Sequence, residues 1–214
     1  MKVYTYYNTV PGLEDPAMID LWVKSWSSWP GWEPIVLSET DAKNANPDMY
    51  ARFNVSPLLE SRNPPEYVRA AMLRWVAMTA VQEPCLHVDW DVFCSGLRPE
   101  QLDLSGKKPV FLSRSTCPCA VAASPQGWKL FAALLELAPF IPTFCRETLI
   151  ADSCDQYATS ISSPEYYDIH PEQLCALYNE DPNWQNAPML HFANRVTPAP
   201  RSATISNMSF LFGS

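Results

Sequence analysis

The sequence predicts a single α/β domain built on a mixed, mostly parallel sheet flanked by helices. Three observations point there. The first forty residues read as strand, helix, strand, for which a parallel pair with a crossover helix is the default arrangement. Strands and helices keep alternating through to Ala138. Finally, the apolar run Leu86-His87-Val88 ends in Asp89 and Asp91, where an open α/β sheet would place its ligand crevice. With 214 residues, 47% of them hydrophobic and 18% charged, the chain has room for one core and little for two. The expected division is a domain over residues 1–200 followed by a tail over 201–214.

Each element has a local reason. Val3 to Val10 is rich in Tyr, Thr and Val and reads as the first strand, broken by Pro11-Gly12. Asp15-Pro16 supplies an N-cap and a proline for the first helical position. Ile19, Trp22, Val23 and Trp26 follow at helical spacing until Pro30-Gly31. Pro34 to Ser38 is a short strand. Asp41 to Pro57 reads as polar and irregular. Pro64-Pro65 opens a helix whose buried face is Val68, Met72, Trp75, Val76 and Thr79. The strand leading to Asp89 comes next, then strands over Pro109–Ser113 and Cys119–Ala123. A helix over Gln126–Ala138 carries Trp128, Phe131 and Leu135 on one side. Further helices are expected over Thr148–Ser160 and Pro171–Tyr178, and a last strand over Met189–Phe192. The tail either docks through Phe210-Leu211-Phe212 or frays.

Composition closes several function classes. A net charge of −8 and the absence of any Lys/Arg run speak against nucleic acid and anionic membranes. No apolar stretch approaches the ~18–20 residues of a membrane span. Six glycines leave no phosphate loop and no dinucleotide fingerprint. The seven cysteines are odd in number, several lie in apolar stretches, and no secretory signal precedes them. They read as small buried hydrophobes in a reducing, cytoplasmic setting. Cys117-Pro-Cys119 has the wrong spacing for a zinc knuckle or a thioredoxin motif. Trp26, Trp29 and Trp32 read as a packed corner of the core rather than a carbohydrate platform.

Two carboxylates at one strand end cannot both stay ionised without a compensating cation. A hard divalent metal carrying phosphate oxygens is the natural partner for Asp89 and Asp91. The segment therefore proposes a metal-dependent site for a nucleoside diphosphate.

Arg74-Trp75 on a helix, then an apolar strand ending in Asp89-Trp90-Asp91-Val92, resembles the core of the GT-A glycosyltransferases. More closely, it is similar to the glycogenin-like and sugar-binding DXD groups. Asp155-Gln156 is similar to a pair that faces the donor sugar in glycogenin-like enzymes. Tyr178-Asn179, Leu190-His191-Phe192 and Asn194-Arg195 resemble segments near that family's end. The resemblance implies a Rossmann-like GT-A fold and a UDP- or GDP-sugar donor. It also implies transfer, with retention, to an acceptor whose nature stays open. The implied metal ligands are Asp89, Asp91 and His191, holding Mn²⁺ or Mg²⁺. Arg74 and Asp155 orient the sugar, and Gln156 bonds its hydroxyls. Tyr6, Tyr7, Asn8 and Thr9 match the place of the base and ribose. The family's glycine and Lys-Pro-Trp after the histidine are missing; Asn194, Arg195 and Pro198 stand there instead, with Asn194 and Arg195 counted among the donor-binding residues. Ala71 replaces an acidic residue often found three positions before the arginine.

Every one of these residues also has an ordinary structural reading. Asp-x-Asp can be a solvated turn, His191 a core histidine, and Arg74 a snorkelling helix residue. Asp155 and Gln156 can be an exposed helix start. His87 shares its side of the strand with Asp89 and is favoured as structural; His170 and Arg69 read as surface residues. Two rival functions remain at this point. A nucleotidyltransferase would want a glycine- and base-rich loop after the first strand, and Tyr6 to Gly12 holds no basic residue. A catalytically silent domain fits the altered segment after His191.

Overall fold

The computed structural model describes residues 1–9, 15–55, 65–113, 119–137, 168–193, 197 and 200–213. Strand β1 (Lys2–Tyr6) leads through α1 (Ala17–Ser28) to β2 (Glu33–Leu37), and the two strands pair in parallel as expected. Pro16 and not Asp15 stands at the N-cap of α1. The Asp15 carboxylate instead accepts from the backbone N–H of Ser202, in the first turn of a helix near the chain's end.

Asp41 to Pro57, expected to be irregular, holds two helices, α2 (Glu39–Ala45) and α3 (Pro47–Val55). Caps explain them better than periodicity does. The Ser38 N–H donates to Asp41 Oδ2 at 2.8 Å, closing a capping box. Asn46 Oδ1 accepts from the Met49 N–H at 3.1 Å, and Pro47 occupies the first position of α3. Among the described side chains of these helices only Ala42, Met49 and Phe53 are buried, so the described apolar stripe is thin.

Helix α4 (Pro65–Met78) buries Val68, Met72, Trp75 and Val76, the face expected from the sequence. Strand β3 (Cys85–Val88) follows, then β4 (Val92–Cys94), β5 (Val110–Phe111), β6 (Ala120–Ala123) and α5 (Pro125–Leu137). The last elements are β7 (Asp168–Ile169), β8 (Cys175–Leu177), β9 (Met189–His191) and α6 (Arg201–Ser206). Pro171–Tyr178, expected as a helix, is a bend leading into β8. Its apolar run Leu174-Cys175-Ala176-Leu177 is too short to tell a buried strand from a helix by pattern. The helix expected over Thr148–Ser160 lies outside the described residues.

The main sheet has the order β2-β1-β3-β6-β5-β7. Pairs β1–β2, β1–β3 and β5–β7 are parallel; β3–β6 and β5–β6 are antiparallel. A small second sheet, β4-β9-β8, stands beside it. The carboxyl ends of β1, β2 and β3 and the start of β6 share one edge. Strand alternation then sends Tyr4, Tyr6 and Cys85 into a core under α4 and α5, and Val3, Leu86 and Val88 into a second core under α1.

The second core contains the tryptophan corner. Trp26 and Trp32 meet edge to face at 5.2 Å. Their indole N–H groups donate to Val92 O at 3.2 Å and Leu97 O at 2.7 Å, tying α1 to the chain after Asp91. The tail docks: Ile205 of α6 and Leu211 are fully buried, and Lys24 of α1 lies over the Phe212 ring. Cys85, Cys94, Cys119 and Cys175 are buried and form no disulfide. Among the described residues no helix is long and apolar enough to cross a membrane.

His87, on β3, points into the first core. It packs on Trp75 at 4.7 Å and Trp128 at 6.4 Å, and neither ring nitrogen has a hydrogen-bond partner. Burial first, and the nearby Arg74 charge second, hold its pKa well below 6.5. The native ring is therefore neutral, while the unfolded chain takes up a proton as pH falls below ~6.5. The unfolded state then binds more protons, so stability drops toward acid, by up to about 1.4 kcal/mol per pH unit for one such group. Denaturant titrations at pH 7, 6 and 5 are expected to show a shallower loss for His87→Met than for the parent chain. Equal slopes would mean that His87 finds a partner.

Candidate functional site

The site grows out of a tight turn. The Asp89 N–H donates to Cys119 O at 2.8 Å, which keeps the end of β3 paired to the chain entering β6. The Val92 N–H then donates back to Asp89 O at 2.9 Å, so the chain reverses within Asp89-Trp90-Asp91-Val92 and runs into β4. Both carboxylates are thereby presented at the shared strand edge. Strand β9 pairs with β4 so that His191 lies opposite Val92, and the Phe192 N–H donates to Asp91 O at 2.8 Å. One carboxylate oxygen from each aspartate and a His191 ring nitrogen all lie within 4.8 Å of one another. Residues about 100 positions apart thus meet through the junction of the two sheets.

Each aspartate has an arginine behind it. Arg74, from α4, pairs with Asp89 Oδ1 and lies over the Trp75 ring. That is one of the roles open to it from the sequence. Arg201, from α6, donates through Nη1 to Asp91 Oδ2 at 2.6 Å and to Phe192 O at 2.9 Å. Its guanidinium stacks 4.3 Å from the Trp90 ring centre, and the residue is only 3% exposed. Asp91 Oδ1 faces His191 Nε2 at 3.4 Å.

The electrostatics follow from these contacts. Burial works against the Asp91 anion, but His191 and Arg201 outweigh it and hold the carboxyl below its ordinary range. Burial likewise opposes the His191 cation, while the Asp91 carboxylate, then Cys119, push its pKa well above 6.5. Each of the two groups thus favours the charged form of the other. A metal held by His191 would need its ring nitrogen deprotonated.

Two carboxylate oxygens and an imidazole nitrogen are a donor set that suits a transition ion such as Mn²⁺, which takes a nitrogen ligand more readily than Mg²⁺ does. The arrangement fits an ion. Arg201 takes one oxygen of Asp91 and leaves the other turned toward His191.

The remaining expected residues fall in different places. Tyr6 is buried in the core on the α4 side of β1. Tyr7 meets Trp90 edge to face at 5.8 Å, beside the aspartates. Asn8 Nδ2 donates to Glu39 Oε2 at 3.5 Å, and Thr9 is exposed. Tyr178 stacks on Phe192 at 4.7 Å, and its N–H donates to His191 O at 3.0 Å, so it backs the histidine strand. Asn179 turns the chain with φ of 62°. Asp155, Gln156, Asn194 and Arg195 lie outside the described residues. Arg69, expected at the surface, pairs with Glu39 and is partly buried.

Sequence reasoning missed two residues. Glu39 follows β2 as Asp89 follows β3, and it gathers Tyr50, Arg69 and Asn8. Its place just past a strand was the signal. Arg201 had almost none: a lone arginine in a proline- and serine-rich tail.

No family model matches the sequence, and no curated protein does so either. Solved structures do. The crystal structure of the glycosyltransferase GlyE of Streptococcus pneumoniae TIGR4 superposes with a TM-score of 0.59 at 14% identity, over 98% of this chain and 61% of the GlyE chain. Its apo form gives 0.58 at 15% identity, over 97% and 60%. The chain therefore spans about three fifths of the GlyE chain. The likeness is one of fold: this chain shares the mixed α/β fold of the GlyE chain over most of its length.

Proposed function

We propose that the chain is a metal-dependent glycosyltransferase of the GT-A type, using a UDP- or GDP-sugar as donor and retaining the anomeric configuration. The observation that carries this reading is the convergence of Asp89, Asp91 and His191 at the carboxyl edge of the parallel strands. Asp89, Asp91 and His191 would hold the ion, whose chemistry is to neutralise charge on the departing diphosphate.

The chain's own residues do the rest. Arg74 orients the donor sugar from α4, with its guanidinium lying over Trp75. From the resemblance alone, Asp155 and Gln156 would bond the sugar hydroxyls, and Asn194 and Arg195 would belong to the donor-binding residues. Tyr7 and Asn8, at the end of β1, face the base and ribose. In the transfer, the bond from the anomeric carbon to the phosphate oxygen breaks and one to the acceptor oxygen forms. The acceptor hydroxyl gives its proton to the oxygen of the departing nucleoside diphosphate.

Calorimetric titration of UDP and then GDP, with and without Mn²⁺, tests the donor. Binding is expected only with the metal. Asp91→Asn keeps the side-chain shape and is expected to weaken metal-dependent nucleotide binding at least tenfold, or about 1.4 kcal/mol. Unchanged affinity in that variant would sink the metal site. Binding of neither nucleotide under any metal condition would favour a silent domain.

A separate variant divides base from metal. Asn8→Ala is expected to weaken nucleotide affinity several-fold while leaving the affinity for Mn²⁺ alone unchanged. Loss of both, or of neither, would remove Asn8 from the donor site.

A further inference from the structure

Arg201 is an unusual neighbour for a metal ligand. A cation within hydrogen-bond distance of Asp91 works against any divalent ion the carboxylate would hold. It is also locked in place. Its Nη1 donates to both Asp91 Oδ2 and Phe192 O, its plane rests on Trp90, and it is 3% exposed. The helix that carries it is anchored by the Asp15 carboxylate on the Ser202 N–H at 3.0 Å and by buried Ile205. Arg74 stands on Asp89 in the same way. Each carboxylate is therefore neutralised from behind by an arginine before any metal arrives.

The sum of these charges decides what the site attracts. The two carboxylates and the two guanidiniums cancel one another. Such a site has little pull on a lone divalent ion. Once an ion is in, the site carries a surplus of two positive charges, which matches the two negative charges of a nucleoside-diphosphate sugar.

We propose that Arg201 is a positioning residue that sets this charge balance. By holding Asp91 Oδ2 it makes the aspartates a poor trap for a metal ion alone and a good one for an ion accompanied by a diphosphate. This deepens the donor reading above and rests on it for the identity of the diphosphate. The metal-only half stands on the charges alone.

The test uses the full chain and reads Mn²⁺ binding from the electron-spin-resonance signal of the free ion, first without nucleotide and then with UDP. In the parent chain, Mn²⁺ alone binds weakly and UDP strengthens it strongly. Arg201→Met, of similar reach but uncharged, is expected to bind Mn²⁺ alone roughly tenfold more tightly and to lose most of the gain from UDP. Arg201→Lys keeps the charge and is expected to stay near the parent chain in both. A purely structural arginine would weaken both when removed.

Weaker Mn²⁺ binding in Arg201→Met, or an Arg201→Lys that behaves like Arg201→Met, overturns the proposal. Should Arg201→Met fail to fold, Arg74→Gln removes the other balancing charge. Tighter Mn²⁺ binding there supports the charge balance, and unchanged or weaker binding overturns it. Absence of UDP binding in every variant would defeat the donor reading, while the metal-only comparison would still judge Arg201.

Discussion

Two carboxylates brought together at the edge of a sheet repel each other, and this molecule is arranged around compensating that repulsion. The turn at Asp89-Trp90-Asp91-Val92 fixes both acids at one place. Three separate elements then supply positive charge to it. Helix α4 brings Arg74, α6 brings Arg201, and β9 brings His191. Each element must also be held at its own far side. Trp75 anchors α4 in the first core, Ile205 anchors α6 on α1, and Tyr178 backs β9. Removing any one takes a charged partner from a partly buried acid, which is costlier than losing an exposed ion pair.

The sequence carried the parts of this design that are local. Asp89 and Asp91 are two residues apart after an apolar strand, and Arg74 lies one helix and one turn before them, so both are visible in a short window. His191 is remote, and only its place in an ordered set of motifs pointed to it. The thinner signals failed for physical reasons. Among their described side chains, helices α2 and α3 bury three between them, and caps at Ser38 and Asn46 hold them, which periodicity does not weigh. Strand β8 is three residues of apolar sequence, below the length at which a helix and a buried strand part company. Arg201 acts on an aspartate 110 positions away. No local pattern encodes that contact; it exists because α6 docks on α1 and Asp15 caps it.

The same charge arrangement bears on which phosphate chemistry suits the fold. A nucleoside triphosphate brings about two more negative charges than a nucleoside-diphosphate sugar, and enzymes that use one surround it with a glycine-rich loop and basic side chains. Here Tyr6 to Gly12 has no basic residue. The described cations of the site, Arg74, Arg201 and His191, each already face an aspartate. One divalent ion restores enough positive charge for a diphosphate and leaves a triphosphate under-compensated. In a partly buried site that shortfall is not screened as it would be in water. On the proposed reading, the balance of charge thus suits a nucleoside-diphosphate sugar as the bound donor better than a nucleoside triphosphate, and with it sugar transfer over nucleotide transfer.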